Sequence, residues 1–132
     1  MSDTEVPDLV EHASSLPFDA TVERLVQAML DRGMTIFARI DHAANAREAG
    51  LSMPPSTVLI YGNARGGTPV MLATPLAALD LPLRVLVRQR EDGIAAIAFH
   101  PVAAMLRRAG AREDLAARLE PAQHVLLAAV AP

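Results

Sequence analysis

The chain contains no cysteine, no lysine and no tryptophan. The first absence excludes disulfides, thiolate catalysis, zinc ribbons and iron–sulfur clusters built within this chain. The second makes every basic residue an arginine, which excludes Schiff-base chemistry and any phosphate loop organised around a lysine. Aromatic residues are scarce too, at 3%, so the core must be aliphatic and there is little platform for stacking bases. A net charge of −3 also argues against phosphate-backbone binding, which needs clustered positive charge. No apolar run reaches the length of a membrane span. Met1 to Pro7 have neither a basic n-region nor an apolar h-region, so no signal peptide is expected and the cytosol is the expected compartment. Neither nucleic acid nor membrane is an expected partner.

What is present is apolar: 52% of 132 residues are hydrophobic, enough for one core of ordinary domain size. Residues 1–7 are expected to be disordered and residues 8–131 to form a single domain. Leu9 to Ser14 read as a weak first strand. Val22, Leu25, Val26, Met29 and Leu30 then make one helical stripe, with Asp19 as its expected cap and Gly33 as its stop. From Met34 to Asp41 the period is two, with Met34, Ile36, Ala38 and Ile40 on one side. A short helix over 43–49 stops at Gly50. Val58 to Tyr61 reads as a central strand covered on both faces. Residues 62–82 read as irregular or broken helix. Leu83 to Arg88 and Ile94 to Phe99 form a hairpin around Glu91-Asp92-Gly93. Helices follow over 101–109 and 112–131, and Pro121 either kinks the last one or begins a separate helix. The expected fold is α/β: a mixed sheet of about five strands, with a hairpin and helices packed on it.

Three groups of residues can carry chemistry. Gly62-Asn63-Ala64-Arg65-Gly66-Gly67-Thr68 has a phosphate loop's glycine spacing without its lysine. Backbone N–H groups in such a turn can converge on an anion. The competing reading, a glycine-rich connection with Asn63 and Thr68 satisfying nearby backbone, fits better. Asp41 and His42 lie where a strand gives way to a helix. Asp41 suits an N-cap, whereas His42 is open to two readings, an acid/base or metal ligand and an exposed first-turn residue. Asp80, isolated between leucines, is expected to bond nearby backbone. His42 and His100 are the metal candidates, to be assembled in space with Asp41 or Asp80, because no pair shows ligand spacing on a helix. Arg107, Arg108, Arg112 and Arg118 read as a solvated helix face. There is no GxSxG elbow and no GxGxxG.

Several separated blocks are shared with a known family. Thr21-Val22-Glu23-Arg24-Leu25, Gly33 to Ala44, Leu59-Ile60-Tyr61-Gly62-Asn63, Gly67-Thr68-Pro69, Ala78 to Leu83 and Val85-Leu86-Val87 resemble the domain of unknown function family number 302. The resemblance covers roughly residues 18 to 101. It implies an α/β domain, generally homodimeric, with no established activity. Its blocks fall on Asp41, His42, Asn63, Thr68 and Asp80. The chain departs from the family at Ala64-Arg65, where Pro-Lys is common, and at Ala98-Phe99-His100-Pro101, where Tyr-Asn-Asp-Pro is common.

The expected function is a homodimeric binding module for a small anionic or metal-bearing ligand, held by Asp41, His42, Asn63, Arg65, Gly67, Thr68 and Asp80. An adaptor that binds another protein through an apolar surface is the first alternative. An acid/base or metal-assisted enzyme using His42 is the second.

Overall fold

The computed structural model describes residues 8–132, so the disordered start expected over residues 1–7 lies outside it. Strand β1 (Val10–Ala13) is followed by α1 (Phe18–Asp31), β2 (Thr35–Asp41), α2 (His42–Glu48) and β3 (Ser56–Gly62). Then come α3 (Ala64–Ala73), a 3-10 helix (Pro75–Asp80), the hairpin β4 (Leu83–Gln89) and β5 (Ala95–Phe99), α4 (Val102–Arg108) and α5 (Glu113–Val130). The strands lie in the order β1-β5-β4-β3-β2, so α1 carries the chain from one edge of the sheet to the other. The α/β class, the five strands and the hairpin are as expected.

Every neighbouring pair is antiparallel, where a mixed sheet was expected. The helical connections are excursions rather than crossovers. The segment through α2 leaves at Asp41 and returns at Thr57, which pair with each other. The segment through α3 likewise leaves at Tyr61 and returns at its partner Leu83. A chain that returns to the end it left must run back antiparallel.

One face of the sheet carries the core. Leu59, Tyr61, Leu83, Val85, Val87, Ile97 and Phe99 are buried there against Val22, Leu25 and Met29 of α1, Val70 of α3, Val102 and Met105 of α4, and Leu119 and Leu126 of α5. Helix α2 takes no part in that cluster and packs on β3 with Ala43 buried. On the other face Val58 and Ile60 are only half-buried. Strand β3 is therefore central in the sheet but covered on one side, contrary to the reading that continuous hydrophobicity suggested.

A bulge in β2 changes a second expectation. Ile36 pairs with Tyr61, but Ala38 pairs with Ile60, the register shifting between them at Phe37. Paired residues share a face, so Ile36 points toward the helices while Ala38 and Ile40 point away. The four alternating residues do not form one stripe. Phe37, the extra residue, is 55% exposed.

The helix ends follow local chemistry with one exception. Gly33, Gly50 and Gly110 stop helices with φ of 71°, 81° and 80°, a conformation that glycine adopts without strain. Asp41 caps α2, its Oδ1 accepting from the Ala44 N–H at 2.9 Å. Asp19 does not cap α1, because it already lies inside the first turn after Pro17. That entry is held instead by Thr21, whose hydroxyl donates to the Pro17 carbonyl at 2.9 Å, and by Ser14, which accepts from Leu16 N–H at 3.1 Å. Helix α5 is continuous, with Pro121 inside it.

Candidate functional site

The glycine segment folds as the start of a helix. Asn63 is its N-cap, with Oδ1 accepting from Arg65 N–H at 2.8 Å. The Gly66 and Gly67 N–H groups donate to the Asn63 carbonyl at 3.0 and 2.9 Å. Neither glycine has a positive φ, so no concave nest of N–H groups forms and the phosphate-loop reading fails. Gly66 has a packing role. A Cβ there would sit 3.4 Å from Leu119 Cδ2 and 4.0 Å from the Arg118 carbonyl, so the missing side chain lets α3 lie close to α5.

Beside this crossing is a cavity of about 440 Å³. Its walls come from distant parts of the chain: the start of α3, the ends of β2 and β3, the cis Leu81-Pro82 segment and the middle of α5. Met34, Met71, Leu81, Leu83, Leu119 and Val125 supply apolar surface, with Phe37 at the bulge beside them. The polar lining comes from Arg32, Arg118, Asn63 and Thr68. Neither arginine belongs to an ion pair among the described residues, whereas Arg39, Arg88, Arg90 and Arg112 all do. The volume is that of an ordinary small-molecule site.

The expected residues are divided by the structure. Asn63, Gly67 and Thr68 line this cavity. Asp80 and His100 line a second one of about 280 Å³, together with Arg84 and Arg108. Asp41, His42 and Arg65 line neither, and all three are exposed. His42 and His100 are therefore not brought to one place, and among the described residues no group of three His or acidic side chains is arranged to hold a metal. Asp80 makes no backbone hydrogen bond through its side chain among the described residues, contrary to its expected role. Arg118 lies on what reads in sequence as a solvated helix face. Arg32 gives no signal at all in the sequence, being simply the residue after α1.

Tyr61 shows how firmly the wall is built. Its ring is fully buried and its hydroxyl donates to the Ala122 carbonyl at 3.4 Å, joining β3 to α5. Burial pushes its pKa well above the usual tyrosine value, so it stays neutral and acts as a fixed donor.

These features define a single α/β domain: an antiparallel sheet with its core on one face and an arginine-lined cavity under the crossing of two helices. The chain belongs to the family described as Domain of unknown function DUF302, whose model matches residues 10–131. The crystal structure of an uncharacterized conserved DUF302 protein from Bacillus stearothermophilus has the same fold, with a TM-score of 0.81 over 95% of this chain and 97% of that one at 18% identity. Part of the chain is also similar to proteins named fluoride-specific ion channel FluC 1, from Brucella suis biovar 1 and Brucella abortus biovar 1. Each is 44% identical over 73 residues, or 55% of this chain. The match spans only 28% and 26% of those relatives. No helix among the described residues here is long and apolar enough to cross a membrane.

Proposed function

We propose that this domain binds a small amphipathic anion in the cavity under the α3–α5 crossing. The observation that carries this reading is the pairing of apolar walls with two guanidiniums that no described carboxylate neutralises. Burying apolar ligand surface contributes about 25 cal/mol per Å², and arginine adds directional, charge-assisted hydrogen bonds to a carboxylate or phosphate. The structure offers less to an enzyme reading, because exposed His42 lies at neither cavity.

Binding is tested by amide NMR titration with benzoate, benzyl alcohol and benzylamine, three probes of similar shape and different charge. Benzoate should bind about tenfold more tightly than the alcohol, with shifts centred on Gly67, Thr68 and Ala122. Arg118→Ala should remove that preference. Equal binding of the three probes, or an unchanged preference in Arg118→Ala, refutes the assignment. Fluoride belongs in the same series because of the relatives' name. Saturable fluoride binding that displaces benzoate would replace the organic anion by an inorganic one.

We further propose that the domain is a homodimer joined through the bare face of its sheet. Ala38, Ile40, Val58, Ile60, Leu86 and Ala98 form a continuous apolar surface there, on paired strands and half-buried in the single chain. An isologous contact lets such a patch cover itself. Sedimentation should give a dimer that Ile60→Asp splits, and a monomeric wild type would refute it.

A further inference from the structure

The second cavity shares no lining residue with the first, although the two are lined by near neighbours in the chain: Leu83 and Ala122 at the first, Arg84 and Gln123 at the second. Gln123 is buried but fully engaged: its Oε1 accepts from Val102 N–H at 3.0 Å and its Nε2 donates to the His100 carbonyl at 2.9 Å. It fixes the floor and the chain at His100 rather than offering a ligand. Around it stand four groups that can be charged: Asp80, Arg84, His100 and Arg108. None belongs to an ion pair among the described residues.

These groups have opposite requirements. Two guanidiniums repel a metal cation and call for an oxyanion. Asp80 repels that same oxyanion unless it carries a proton to donate. His100 is held in place by its Nδ1, which lies 2.6 Å from the Asp8 carbonyl and donates to it. Two guanidinium donors beside the Asp80 carboxylate acceptor complement an oxyanion that still bears a hydroxyl. We infer that the cavity formed by Asp80, Arg84, His100 and Arg108 is a second binding site, selective for a protonated phosphate group over a fully deprotonated oxyanion. Inorganic phosphate keeps such a proton at neutral pH, and the phosphate of a monoester keeps one below its second pKa of about 6. Sulfate, of nearly the same size and shape, lacks the proton.

The test is calorimetric titration of the wild-type protein with sodium phosphate and sodium sulfate at neutral pH, and with sodium phosphate and glycerol phosphate at about pH 5, where the monoester also keeps a proton. Phosphate should bind about tenfold more tightly than sulfate. Arg84→Ala and Arg108→Ala should each weaken phosphate about tenfold or more. Both side chains are exposed, so neither change disturbs the core. Asp80→Asn should raise sulfate affinity and close the gap between the two anions. Glycerol phosphate binding as tightly as phosphate would identify an open site for monoesters, and its exclusion one for the free ion. Equal affinity of the wild type for phosphate and sulfate overturns the proposal, as does phosphate binding unaffected by loss of either arginine. Arg118→Ala separates the two cavities. Phosphate binding abolished by that change but not by Arg84→Ala would belong to the first cavity and refute the second site.

Discussion

Raising the pH isolates a single side chain in this protein. With no lysine and no cysteine, nothing but the one tyrosine titrates between the amino terminus, near pH 8, and the arginines, above about pH 12. That tyrosine, Tyr61, is fully buried and its pKa is raised by burial. The unfolded chain gives up the phenolic proton at about pH 10, while the folded chain holds it. The stabilisation this represents is complete below about pH 10 and is lost as pH rises toward the folded value, at about 1.4 kcal/mol per pH unit. By about pH 11.5 the loss reaches roughly 2 kcal/mol, a large share of a typical 5–15 kcal/mol stability.

Urea unfolding at a series of pH values reads this directly. With a slope of about 1–3 kcal/mol per molar urea, the midpoint should be level from about pH 8.5 to pH 9.5 and then fall by roughly 1–2 M by pH 11.5. Tyr61→Phe should lack that fall. At pH 8.5 it should be less stable by about 0.5–1 kcal/mol, the net worth of one hydrogen bond to the Ala122 carbonyl. The two curves should therefore cross between about pH 10 and 11, the variant being the more stable above the crossing. Native wild-type protein whose tyrosine absorbance titrates at the ordinary value would refute the reasoning. So would a Tyr61→Phe variant that loses stability as steeply as wild type.

Four other outcomes follow from particular contacts. Gln123→Leu should cost about 2–3 kcal/mol in urea unfolding, because it strips the partners of Val102 N–H and the His100 carbonyl; a loss below about 0.5 kcal/mol would show that other groups serve both. Gly67→Ala should raise stability by about 0.5–1 kcal/mol, since its Cβ would meet only Met71 Cε at 3.9 Å in a helix where glycine is costly. Gly66→Leu should lower stability by about 1–3 kcal/mol by wedging α3 from α5, and if both glycine variants moved melting temperature the same way the packing account would be wrong. Asp92 accepts from Ile94 N–H at 3.0 Å and pairs with Arg90 at 2.7 Å, which together hold its carboxyl below the usual range. Its contribution is present above the unfolded value of about 3.9 and lost as pH falls, so carboxyl NMR should place the Asp92 midpoint below about 3.9, and Arg90→Ala should raise it.

The parts of the fold legible in sequence are those set by neighbours in the chain. Gly33, Gly50 and Gly110 each end a helix and Gly93 lies in the hairpin turn, and all four have positive φ, because a left-handed residue is a local requirement. The hairpin after Gln89 and the Asp41 cap are local in the same sense. The failures are places where a distant partner decides. The β2 bulge at Phe37 is a matter of register against β3, and no pattern within residues 34–41 announces it. Hydrophobic continuity from Val58 to Tyr61 cannot distinguish a strand covered by helices on both sides from one whose second face is bare or covered by another copy of the chain.

Gly66 and Gly67 carry the same lesson into the site. Glycine spacing after a strand suggests a loop that cradles phosphate, yet these residues are helical and their N–H groups are already used. What the glycines do provide is proximity: with no Cβ at Gly66, α5 approaches and brings Arg118 to the cavity that Asn63 and Thr68 also line. The anion-binding charge would then come from a residue more than fifty positions away instead of from the backbone of the motif. The second cavity arises similarly, since Asp80 and His100 meet only because the sheet aligns β4 with β5 and α5 ties down the chain after β5. In both places the sequence exposes some of the polar residues, while the arginines that would set the sign of a ligand's charge become visible only when the helices and strands are assembled.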